Sequence, residues 1–73
     1  MSIPKIRLQF AQRLKFFRNK FKLTQEQMAE RLGVDIRYYQ RIESKNPRAI
    51  KIDTIEKIAK ALKIPPAKLL DSE

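Results

Sequence analysis

"TQEQMAERLGVDIRYYQRIE", residues 24–43, consists almost wholly of helix-forming residues, yet the chain's one glycine, Gly33, stands in its middle. Gly33 falls just past the apolar positions Met28, Ala29 and Leu32. A helix ends best there on a left-handed residue, a conformation that glycine adopts without steric cost. Thr24 opens the stretch, and Gln27 three residues on completes a capping-box pattern. Val34 bridges, and Asp35 has the chemistry of an N-cap for a helix resuming at Ile36 and running to about Glu43. The glycine is therefore read as a corner between two helices, not as a flaw in one.

The flanking segments extend the pattern. Residues 6–21 place Ile6, Phe10, Leu14, Phe17 and Phe21 on one narrow stripe at ~100° per residue, which predicts an amphipathic first helix. Phe16 falls ~120° off that stripe and is read as fringe core in preference to an exposed contact. "FKLT" closes the helix with neither glycine nor proline. Beyond the corner, "SKNPRAIK" (44–51) reads as a loop, with Pro47 blocking helix continuation. Asp53, with Glu56 three on, predicts a capped fourth helix whose Ile55, Ile58, Ala59 and Leu62 share a face. "IPPAKLL" predicts a short fifth helix, with Leu69 and Leu70 closing the core. No repeat, low-complexity tract or alternating strand pattern interrupts this. The expected fold is all-α, five compact helices in a single domain over 1–73.

Composition narrows the function. At 73 residues the chain is near the lower limit for a lone hydrophobic core, and without cysteine it has no disulfide or thiolate–metal support. No apolar run approaches a membrane span or a signal segment, so a soluble cytoplasmic protein is expected. The 17 Lys+Arg against 8 Asp+Glu give a formal charge of +9. Residues 1–22 hold seven bases and no acid, residues 31–51 hold six bases against Asp35 and Glu43, and residues 53–73 balance four against four. A lopsided excess suits a surface that meets a polyanion, where an even coat of lysines would serve solubility alone. With no His and no Cys, the commonest general base, nucleophile and soft metal ligands are missing. Asp35 and Asp53 are explained as caps, Glu26 and Glu30 as an exposed helix face. No catalysis, metal or cofactor is expected.

On the third helix Tyr39 and Ile42 point inward, so the opposite face presents Arg37, Gln40 and Arg41, with Ile36 at its leading edge. Arginine forks onto guanine O6/N7 and glutamine onto adenine N6/N7, although an ordinary solvated face has the same composition.

The pairing of "LTQEQMAERLGV" with "IRYYQRIE" resembles the helix-turn-helix of the phage-repressor-like (Cro/XRE-type) DNA-binding family. Gln25, Ala29, Gly33, Tyr39, Ile42 and Glu43 occupy the family's places. Upstream "RLKFFR" resembles its first helix and "IDTIEKIAKALKI" its fourth, so the likeness covers roughly residues 10–70. The resemblance implies a five-helix lambda-repressor-like domain. It also implies a sequence-specific regulator of transcription, a repressor that binds double-stranded DNA as a homodimer on a pseudo-palindrome, in a bacterial or phage-type cytoplasm. By the same resemblance Ile36, Arg37 and Arg41 read bases, with Gln40 beside them. Gln25, Asn46 and Arg48 meet phosphate, Ala29 and Gly33 build the corner, and Arg18 pairs with Glu43. Read neutrally, Arg18 could instead be a further phosphate contact.

The chain departs from the family at Lys22 and after Glu43, where glycines are usual, and at Tyr39, where a small aliphatic residue is usual. Asn46 is the residue expected to supply a left-handed turn in the loop. The competing reading is an antitoxin-like or regulator-associated module whose main partner is another protein (a toxin or a regulator), with Leu8, Phe16 and the Leu69–Leu70 end as its surface. Membrane docking by the first helix ranks below both, because its phenylalanines are needed for the core.

Overall fold

A computed structural model describes residues 4–70. Among them the chain forms five helices and no strand: α1 (Lys5–Lys20), α2 (Gln25–Leu32), α3 (Ile36–Glu43), α4 (Ile52–Leu62) and α5 (Pro66–Leu70). Helix α1 lies against α3 and α5, α2 packs on α3 and α4, and α4 meets α5. Every helix sends residues into one core: Phe10, Leu14 and Phe17; Met28 and Ala29; Tyr39 and Ile42; Ile58, Ala59 and Leu62; and Leu69.

The stripe on α1 is longer than its cover. Ile6 and Phe21, at its two ends, are exposed, so of the phenylalanines expected in the core on this stripe only Phe10 and Phe17 are buried. Phe16 is exposed as well and sits edge-on to Phe17, their centroids 5.2 Å apart, so fringe core is the wrong description of it. Leu69 is buried, but Leu70 next to it is not.

Three helices end alike. After α1, α2 and α4 the chain turns through a left-handed residue: Lys22 (φ 57°), Gly33 (φ 68°) and Lys63 (φ 57°). The following N–H then reaches back to a carbonyl five residues earlier, Leu23 to Arg18, Val34 to Ala29 and Ile64 to Ala59, each at 3.0 Å. This is the Schellman closure, in which an apolar residue after the turn packs back on the helix it ends. Leu23, Val34 and Ile64 all rest against the core. "FKL", "LGV" and "LKI" are thus one device, spelled with glycine only once.

Helix α3 ends otherwise. Its C-cap Ser44 is extended, and Asn46 is not among the left-handed residues, so the expected asparagine turn is absent. Buried Pro47 anchors the loop instead. Helix α4 then starts at Ile52 with Lys51 as its N-cap and no side-chain cap hydrogen bond. Asp53 lies inside the first turn, where its carboxylate faces the positive helix end without capping it.

Candidate nucleic-acid interface

The corner joins the C-terminus of α2 to the N-terminus of α3, and each of the two helices starts on a side-chain cap. Thr24 Oγ1 accepts from the Gln27 N–H (3.0 Å) while Gln27 Oε1 accepts from the Thr24 N–H (2.8 Å), a complete capping box. Asp35 Oδ2 accepts from the Arg37 N–H (2.9 Å). Between them Gly33 needs its left-handed φ and not its small size, since a Cβ added there would meet nothing within 4 Å. Ala29, on α2, is buried where that helix crosses its neighbours, a close approach that a small side chain permits.

Helix α3 divides sharply. Tyr39 and Ile42 are 0% exposed, whereas Arg37, Gln40 and Arg41 stand in solvent. Ile36 is half-buried and packed against the core, so only part of it looks outward.

Glu43, the last residue of α3, is the hub that fixes this orientation. Its Oε2 accepts from Arg18 Nε (2.6 Å) and from the Tyr39 hydroxyl; its Oε1 accepts from Arg18 Nη2 (3.0 Å) and from Gln25 Nε2 (3.1 Å). Arg18 Nη1 donates to the Leu23 carbonyl (2.7 Å). The Arg18 and Glu43 side chains are 9% and 1% exposed, and no buried side-chain polar atom among the described residues lacks a partner. A forked arginine–carboxylate pair with every lone pair engaged is the arrangement in which a buried ion pair is tolerated. The hydrogen bond to Glu43 raises the Arg18 pKa above its ordinary value, and burial followed by the same carboxylate drives the Tyr39 hydroxyl well above the usual tyrosine range. Both groups therefore hold their protons, as Glu43 requires.

The network extends outward. Gln40 Nε2 donates to Gln25 Oε1 (3.4 Å), so the amide at the start of α2 is oriented by α3 from two sides. Gln25 still has a second amide hydrogen to offer. Arg41 Nε donates to the Asn46 carbonyl (3.2 Å), and the Arg48 guanidinium carbon lies 5.1 Å from the centre of the Tyr38 ring. Around α3 there are thus three separate contacts, Gln40 with Gln25, Arg41 with Asn46 and Arg48 with Tyr38, while Arg37 stands on the same helix outside them. The Tyr38 stack and the tie between Gln25 and Glu43 were not anticipated. Both join residues distant in sequence, and only the adjacent pair Tyr38–Tyr39 hinted that a second tyrosine faced elsewhere.

A bent helix pair with a cationic, solvent-facing second helix, all-α and free of any helix long and apolar enough to cross a membrane among the described residues, defines a class: DNA-binding regulators of transcription. The chain belongs to the helix-turn-helix family, whose model matches residues 14–69. Two solved structures are similar. One is the restriction-modification controller protein C.AhdI from Aeromonas hydrophila, 33% identical, covering 90% of this chain and 98% of that one with a TM-score of 0.82. The other is the hypothetical transcription factor NHTF from Neisseria, 29% identical over 94% of this chain and 84% of that one, with a TM-score of 0.84. No curated protein matches the chain.

Proposed function

We propose that the chain acts as one domain that reads a specific duplex sequence by laying α3 in the major groove. The observation that carries this is the division of α3, with Tyr39 and Ile42 sealed in the core and Arg37, Gln40 and Arg41 on the solvent face, where they can turn to base edges. Arg37 and Arg41 suit guanine, Gln40 suits adenine, and the exposed side of Ile36 suits a thymine methyl. Gln25, at the N-terminus of α2, and the loop residues Asn46 and Arg48 are placed to hold phosphates on either side.

The protein works as a homodimer. Ile52 is 82% exposed, and with exposed Ile6 and Leu70 it lines one apolar groove of about 320 Å³. A second copy seated there removes that surface from water. The body measures 32 × 25 × 22 Å, a size that allows two paired copies to set their α3 helices one DNA turn, about 34 Å, apart. Such a dimer occludes its operator, which makes repression in the cytoplasm its simplest mode of action. The likeness to a controller protein supports a regulatory role.

Fluorescence anisotropy with duplexes selected from a random pool tests this reading. Log K should fall with log salt by about 0.9 for each phosphate neutralised. Arg41→Ala should cost about 1–3 kcal/mol on the selected site and flatten the preference, while Gln25→Ala weakens all sequences alike. Failure to enrich any sequence from the pool at low salt would refute the proposal.

A further inference from the structure

The end of α2 away from Gln25 carries a second cationic surface for which the DNA reading has no use. Two shallow grooves adjoin there and share Arg31 and Ala61. The first, about 300 Å³, is floored by Phe21, Leu23 and Leu62 and rimmed by Arg31 and Lys63. The second, about 460 Å³, runs over Leu32 to Lys57 and Lys60. Every charged residue lining the two is basic. Arg31 Nη1 donates to the Ala61 carbonyl (3.3 Å), which fixes that side chain across the seam between α2 and α4.

Helix dipoles account for part of this charge. Arg31 and Lys60 sit in the last turns of α2 and α4, where positive charge is favoured on general grounds. They do not account for Lys57 in mid-helix, and at Lys63, the C-cap of α4, they favour the charge but not the left-handed backbone that carries it. Lys63 holds φ 57°, and so does Lys22 beside Phe21, a conformation in which glycine is at ease and lysine is strained. A lysine at a left-handed position, Lys63, beside an apolar floor with Phe21 exposed and among cations only, indicates a use for the charge.

We propose that this face docks an acidic segment of another protein through a bulky apolar residue. The apolar side chain covers Phe21 and Leu23 while flanking carboxylates meet Arg31, Lys60 and Lys63. A second copy of this chain is disfavoured by like charge, and a DNA backbone offers nothing apolar to cover the floor. The inference does not depend on the major-groove reading. No residue of α3 or of the loop after it lines either groove, so a duplex held by those residues leaves this face open.

A fluorescein-labelled synthetic peptide, glutamate alternating with leucine around a central phenylalanine, serves as the probe. It is titrated by anisotropy against the full chain, alone and preloaded with duplex. The peptide should bind both forms equally, and the double variant Lys60→Gln/Lys63→Gln should weaken it about tenfold. That variant should lose less duplex affinity than Arg41→Ala does. An all-glutamate peptide should also bind about tenfold more weakly than the probe. The proposal is overturned if the probe does not bind, if duplex displaces it, if the all-glutamate peptide binds as well, or if the lysine variant leaves it unchanged. A failure of the DNA reading would show separately, in the duplex titration.

Discussion

Helices α2 and α3 have the same length, eight residues, and end in opposite ways. At Gly33 the backbone closes on itself, with N–H groups returned to the Ala29 and Glu30 carbonyls. At Ser44 side chains do the work. The Ser44 hydroxyl donates to the Arg41 carbonyl (2.8 Å) and accepts from the Asn46 N–H (3.2 Å), and Arg41 itself holds the Asn46 carbonyl. The first ending sets the angle between two helices without help from any ligand. The second is tied to a side chain proposed to read a base, so an Arg41 that turns to guanine gives up its hold on the loop. Rigidity and adaptability thus sit at opposite ends of one helix.

The harshest trial of this contrast is Glu43→Ala. It unties the end of α3 and strands buried Arg18, so urea denaturation should show a loss of about 3–5 kcal/mol. A loss as small as that of a surface residue would mean α3 is held from elsewhere. Alkaline titration comes next. Because burial and Glu43 raise the folded-state pKa of Tyr39, the folded protein keeps a proton that the unfolded chain releases above its ordinary pKa of about 10. The stability linked to Tyr39 is whole below that pH and declines above it, by up to about 1.4 kcal/mol per pH unit. Tyr39→Phe should remove this component from the pH profile; an unchanged slope would disprove its origin. A smaller effect sharpens the comparison at the corner. Thr24→Ala should cost about 1 kcal/mol in the melting curve, whereas Asp53→Ala, which caps nothing, should stay within about 0.5 kcal/mol. Last, Lys22→Gly should leave stability equal or raise it by up to about 1 kcal/mol, since it relieves a left-handed lysine. Destabilisation there would show that the side chain contributes more than its strain costs.

The parts legible in the sequence were those decided within a few residues. The capping box, the Asp35 cap and the Gly33 turn are local chemistry, and the whole α2–α3 corner follows from them. The left-handed turns at Lys22 and Lys63 were not foreseen, although glycine is usual in the family at the first, because lysine itself carries no sign of such a backbone; the apolar residues flanking each turn carried it instead. Asp53 misled for the converse reason, having the right chemistry two residues too late. In the candidate site the outward face of α3 and the meeting of Arg18 with Glu43 could be foreseen. The Tyr39 hydroxyl and the Gln25 amide completing the Glu43 shell could not, since both depend on how separate helices come together.

The bare Ile52 carries a consequence for dosage. An isoleucine left mostly in water forgoes about 2 kcal/mol that only a covering surface restores. Where that surface belongs to an identical molecule, active pairs accumulate as the square of chain abundance while the monomer dominates. Promoter response then steepens into a threshold, and the cell could set it by synthesis rate alone.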